Sequence, residues 1–89
     1  MRVLRWSVAV DGLPHHVGAG AIVHVGSAPM NAGRADRVDV WTLEDDADLP
    51  PTRTVQVFGT GEPLPADVTA HIGTAVLSPY VWHIFELRQ

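Results

Sequence analysis

Apolar and polar residues alternate with a period of two along most of this chain. In residues 3–10, Leu4, Trp6, Val8 and Val10 fall on one face, and Arg5, Ser7 and Ala9 on the other. An extended backbone sends successive side chains to opposite faces, so this segment predicts a half-buried strand. His15–Val17 predicts a short second strand. Ala21–Gly26 predicts a third, with Val23 and Val25 on one face and Ile22 and His24 on the other. Residues 37–43 set Val38 and Val40 against Trp41 and Leu43, a pattern expected of a strand covered on both sides. Residues 52–58 place Val55 and Val57 together. Residues 70–77 contain Gly73, which points to a bulge or a close backbone approach. Tyr80–Leu87 alternates Val81, His83, Phe85 and Leu87 with Tyr80, Trp82 and Ile84.

Turn signals separate these segments. Asp11-Gly12-Leu13-Pro14 joins a residue pair that tolerates positive φ to a proline that fixes φ. Gly18-Ala19-Gly20 reads as a flexible connector. Residues 27–36 hold Pro29, Asn31 and Gly33 without any period and are expected to form an exposed loop. Residues 44–51 gather Glu44, Asp45, Asp46 and Asp48 ahead of Pro50-Pro51, expected as a solvated turn. Residues 59–65 make a long turn and Ser78-Pro79 a tight one. The best helical candidate, residues 65–71, amounts to at most about two turns. The expected fold is therefore all-β: one domain over residues 1–89, a small antiparallel β-sandwich or partly open barrel of six or seven short strands.

Composition narrows the chemistry. With 46% apolar residues in 89, the chain has enough for one core and too many for a disordered segment. It has no cysteine, which removes disulfides, thiolate metal sites and cysteine nucleophiles. No apolar run approaches the roughly 20 residues of a spanning helix, and the start of the chain lacks the apolar stretch of a signal peptide, so no membrane association and a cytoplasmic location are expected. The net charge is −4 and every basic residue is arginine. That balance argues against nucleic acid, whose backbone calls for a basic patch, and leaves a local anion site only where Arg34, Arg37 and Arg53 gather.

Catalytic constellations are incomplete. His15 and His16 are neighbours on a strand and face opposite ways. His24, His71 and His83 lie on separate strands and could converge into the three-histidine site of a metal-dependent hydrolase, the least favoured alternative, because no HxH or HxxxH spacing supports a shared ion. The acidic run lacks the oxygen spacing of a calcium loop. Gly59-Thr60-Gly61 resembles half of a dinucleotide fingerprint, yet Pro63 and Pro65 follow where a helix would have to start. No serine sits in a Gly-x-Ser-x-Gly elbow. His83 and Glu86 share a strand but face opposite sides, so a carboxylate partner for the imidazole would have to come from Asp39 or Glu62. The pattern assigns no catalytic residue, no metal and no cofactor. It leaves a candidate ligand site of Arg53, Gly59, Thr60, Gly61, His71 and His83 around the second long turn. It also leaves Trp6, Trp41, Tyr80 and Trp82 as candidates for an interface between copies, because the strands of Trp41 and Trp82 carry apolar groups on both faces.

Three stretches carry a family resemblance. Residues 52–65, Thr-Arg-Thr-Val-Gln-Val-Phe-Gly-Thr-Gly-Glu-Pro-Leu-Pro, are followed by Ile72-Gly73-Thr74-Ala75 and by Val81-Trp82-His83-Ile84-Phe85-Glu86. Together with Asp39-Val40-Trp41-Thr42-Leu43 upstream, they resemble a family of small uncharacterised proteins encoded by bacteriophages and prophages. The shared pattern is G-T-G-x-P-L-P, then I-G-T, then V-W-H-x-F-E. The longer loop at residues 27–36 departs from it. The resemblance implies an origin rather than an activity and supplies no catalytic residue. It implies a phage accessory protein that acts in the host cytoplasm on a host or phage protein, or that sequesters a small nucleotide-like ligand. With the two-faced strands, the leading expectation is a non-catalytic protein–protein interaction module that forms a homo-oligomer.

Overall fold

Among the described residues seven strands form: β1 (Arg2–Ala9), β2 (His15–Val17), β3 (Ala21–Gly26), β4 (Arg37–Glu44), β5 (Arg53–Gly59), β6 (Val68–Leu77) and β7 (Tyr80–Leu87). The computed structural model describes residues 1–27, 36–45, 49–77 and 79–88. All pairings are antiparallel. The three-stranded sheet runs β1-β4-β3 and the four-stranded sheet β2-β5-β7-β6. The two stack as a sandwich whose shortest dimension, 17 Å, is the thickness of two layers with their side chains. The barrel alternative is set aside, because the sheets stay separate. Among the described residues there is no helix, hence none long and apolar enough to cross a membrane. In the helical candidate, residues 65–71, residues 66–67 turn and residues 68–71 already belong to β6. The expected loop over residues 27–36 falls for the most part outside the described residues, as do Asp46 and Asp48.

The alternation explains the core. Val8 on β1, Val38 and Val40 on β4, Val17 on β2, Val55 and Val57 on β5, Ala75 on β6 and Ile84 on β7 are buried between the sheets. Trp6, Val10 and Trp82 pack around them. In β3 the strict alternation fails. The register shifts between Ile22 and His24, so Ile22 and Val25, not Val23 and Val25, both reach the core. Val23 is left 52% exposed. One bulged residue reverses the parity of everything after it. On β6, Gly73 follows another register shift, and a Cβ there would lie 2.9 Å from the Cβ of Val25. Bulge and close approach thus coincide at this glycine.

The connector between β2 and β3 carries the chain from one sheet to the other, and it is held from both sides. Glu44, at the end of β4, accepts the amides of Ala19 (3.1 Å) and Gly20 (3.2 Å). Arg53, at the start of β5, donates from Nε to the Gly20 carbonyl at 2.6 Å and from Nη1 to both oxygens of Glu86 at 2.8–2.9 Å. The Gly18 carbonyl accepts the amides of Thr52 and Arg53. Glu44 is therefore no member of a solvated acidic turn; it is 6% exposed. Trp6 donates its indole N–H to the Thr42 hydroxyl at 2.8 Å, and that hydroxyl hydrogen-bonds Glu44 in turn. The Thr42 bond first, and the Ala19 amide next, hold the Glu44 carboxyl below its ordinary value.

Two outcomes test this arrangement. A Cβ at Gly20 would collide with the Leu43 carbonyl oxygen, so Gly20→Ala is expected to cost about 3 kcal/mol in urea unfolding. Because the folded-state pKa of Glu44 is depressed, its contribution is complete above the ordinary value of 4.5 and is lost as pH falls through the folded value. Unfolding midpoints are expected to drop on acidification below about pH 4.5, and Glu44→Gln to flatten that drop while lowering stability at neutral pH.

Candidate functional site

The outward face of the four-stranded sheet holds most of the chemistry-bearing groups. Register sets it. Leu77 faces Tyr80, Val76 faces Val81, and Thr74 faces His83. His83 Nδ1 lies 3.1 Å from Thr74 Oγ1, and its Nε2 lies 2.8 Å from Thr60 Oγ1. Thr74 also meets His71 Nε2 at 3.2 Å. The His71 ring lies edge-on to Phe85, with centroids 5.1 Å apart, and Phe85 meets Phe58 at 5.8 Å. Residues 60–67 fold beside these rings. Phe58 and Leu87 face outward yet are only 4% exposed.

The turn after β5 is shaped by its own carboxylate. The amide of Glu62 donates to the Gly59 carbonyl, and Glu62 Oε1 accepts the Gly59 amide at 3.0 Å. Gly61 has φ +90°, the left-handed value that the third position of a type II turn requires. The Gly59 amide, which an anion would need, is thus occupied by Glu62. A cavity of about 250 Å³ remains, lined by Phe58, Gly59, Thr60, Gly61, His83 and Phe85 among others.

Of the six candidate ligand residues, Gly59, Thr60, Gly61 and His83 border this one cavity, and His71 sits beside it through Thr74. Arg53 does not belong there. It shares the inward parity of Val55 and Val57, and six positions of extended chain, roughly 20 Å, separate it from Gly59. Its guanidinium is committed to Gly20 and Glu86. Arg34 lies outside the described residues, and Arg37 is on β4 in the other sheet.

The histidines are dispersed. His15 donates to Asp11 at 2.8 Å. That contact first, and the Leu13 amide next, hold the Asp11 carboxyl below its ordinary value. His16 bonds Thr54. His24 lies against Trp41 on the opposite outer face of the sandwich, with ring centroids 5.2 Å apart. Among the described residues no three histidine, aspartate or glutamate side chains come close enough to hold a metal ion. The carboxylates weighed as partners for His83 are engaged elsewhere: Asp39 by Arg5, Glu62 by the Gly59 amide and Glu86 by Arg53.

The interface candidates divide. Trp6 and Trp82 pack against the core, since their parity points them inward. Tyr80, stacked on Trp82 at 5.4 Å and 11°, is 48% exposed where the sandwich opens. Trp41 is half-buried against His24. The alternation missed the exposed cross-strand pair Val76 (72%) and Val81 (38%). It also missed Thr74, although counting back from the turn expected at Ser78-Pro79 would have placed Thr74 opposite His83.

These features define a small two-sheet antiparallel sandwich with a hydrogen-bonded His–Thr face. The chain belongs to the family described as a domain of unknown function, DUF7352, whose model matches residues 1–89. No curated protein and no solved structure matches it.

The His–Thr contacts predict a measurable cost. Thr60→Val keeps the β-branched shape and removes one partner of His83. It is expected to lower stability by about 1 kcal/mol and to shift the Nε2 resonance of His83 in nitrogen NMR.

Proposed function

We propose that this chain is a non-catalytic protein–protein interaction module that self-associates. On the strength of its likeness to small phage and prophage proteins, we assign it an accessory role against a host or phage protein in the host cytoplasm. One observation carries the reading: on the same sheet face, both ring nitrogens of His83 are taken up by threonine hydroxyls, while Val76 and Val81 stand open to solvent. Neither nitrogen is open to a substrate proton unless a threonine hydroxyl is displaced. An apolar pair with no cover within the described chain is instead what a protein partner would bury. Capture from infected host cells tests it. The unaltered chain is expected to retain a discrete partner that Val81→Asp loses, and capture of the same set by both would overturn the reading.

A second reading, a small-ligand binder, draws on the cavity shared by Thr60, Gly61 and His83 with Phe58 and Phe85 as its aromatic wall. Such a wall suits a planar ring such as a nucleobase better than a free anion, because Glu62 already holds the Gly59 amide. A ligand at a hundredfold excess over its Kd raises Tm by roughly 10–20 °C in a domain of this size. A screen of cyclic and linear nucleotides that shifts nothing removes this reading.

A further inference from the structure

The four sheet edges are not alike. β1, one edge of the three-stranded sheet, carries Arg2 and Arg5. β3, the other, is interrupted by its bulge. β2 has only three residues, just after Pro14. Short length, charge, proline and bulges are how proteins keep an open edge from pairing. β6 is a ten-residue edge with no charged residue and no proline, Val-Thr-Ala-His-Ile-Gly-Thr-Ala-Val-Leu. Its two register shifts lie before Gly73, and Gly73 itself is where β3 closes in through Val25. Beyond that point Thr74–Leu77 pairs regularly with β7 on one side. Among the described residues no strand pairs with its other side.

We propose that this stretch of β6 pairs antiparallel with the same stretch of a second copy, joining two four-stranded sheets into one of eight. The proposal rests on the self-association named above and assigns it a surface. Three features favour a copy of this chain as the occupant. Unpaired main-chain groups on a strand edge are matched by another strand. Two chains of net charge −4 repel, and β6 is an edge where neither sign of charge stands in the way. In an antiparallel pair, facing residues share a sheet face, so Thr74 and Val76 of both copies meet on the outer face. Val76, the most exposed large apolar side chain among the described residues, is then covered together with its neighbour Val81. The contact is isologous and closes at two.

Light scattering after size-exclusion chromatography at micromolar concentration, with sedimentation for the Kd, tests it on the full chain. The unaltered protein is expected to be a dimer. Val76→Lys sets like charges across the twofold and is expected to weaken the dimer about tenfold or more with its circular dichroism unchanged. Amide exchange on the unaltered chain at two concentrations answers the question even if that variant does not fold: alternate amides of Thr74–Leu77 are expected to slow as concentration rises. A strict monomer overturns both this proposal and the self-association. A dimer that Val76→Lys leaves intact overturns the β6 assignment alone and leaves self-association standing. Open-ended growth overturns the closed pairing.

Discussion

The grip on Gly18-Ala19-Gly20 is the constraint on which the two sheets depend. The chain must leave β2 in one sheet and enter β3 in the other within three residues, and each sheet holds that passage with an ionised side chain. Glu44 reaches it from the three-stranded sheet and Arg53 from the four-stranded one. Glu44 is satisfied from within as well, since the Trp6–Thr42 pair supplies it a hydroxyl. A buried carboxylate is tolerated only when donors replace its water, and these do. The sandwich thus aligns its layers through directed bonds at one end, while the valine core, which has little directionality of its own, fills the space between.

That arrangement decides which residues are available for function. Arginine and glutamate at the crossover are occupied in holding the fold. So are Trp6 and Trp82, which face inward. Surface left to meet another molecule includes the outer face of the four-stranded sheet, its β6 edge, the end where Tyr80 stacks on Trp82, and the outer face of the three-stranded sheet with Val3, Val23 and Trp41. On that outer face the polar groups bond one another in a chain, His71–Thr74–His83–Thr60.

Much of the architecture was legible in the alternation. Six or seven strands, their antiparallel sense and the sharing of one face by Val8 with Trp6, Val38 with Val40, and Val55 with Val57 follow from period two and from turn residues, and the packing of the sheets decides that these faces and Ile84 point inward. Short-range geometry is enough there, because a side chain's face depends only on counting along an extended chain. Counting breaks wherever a residue is inserted. The bulge in β3 moved Ile22 to the core face and Val23 out of it, and nothing in Ala-Ile-Val-His-Val-Gly marks which residue is the extra one.

The sequence by itself determined the fold class and the absence of thiol chemistry, whereas the meeting of Gly59, Thr60 and Gly61 with His83 at one cavity came from the pairing of β5 with β7. Only the tertiary structure decided the destinations of the long charged side chains. Whether Arg53 joins a ligand turn or clamps a crossover, and whether Glu44 is solvated or buried, depends on which groups from distant strands arrive beside it. Those partners, Gly20 and Glu86 for one and Ala19, Gly20 and Thr42 for the other, are set by sheet order and strand register. Sheet order is a non-local property, and no local pattern of apolar and polar residues encodes it.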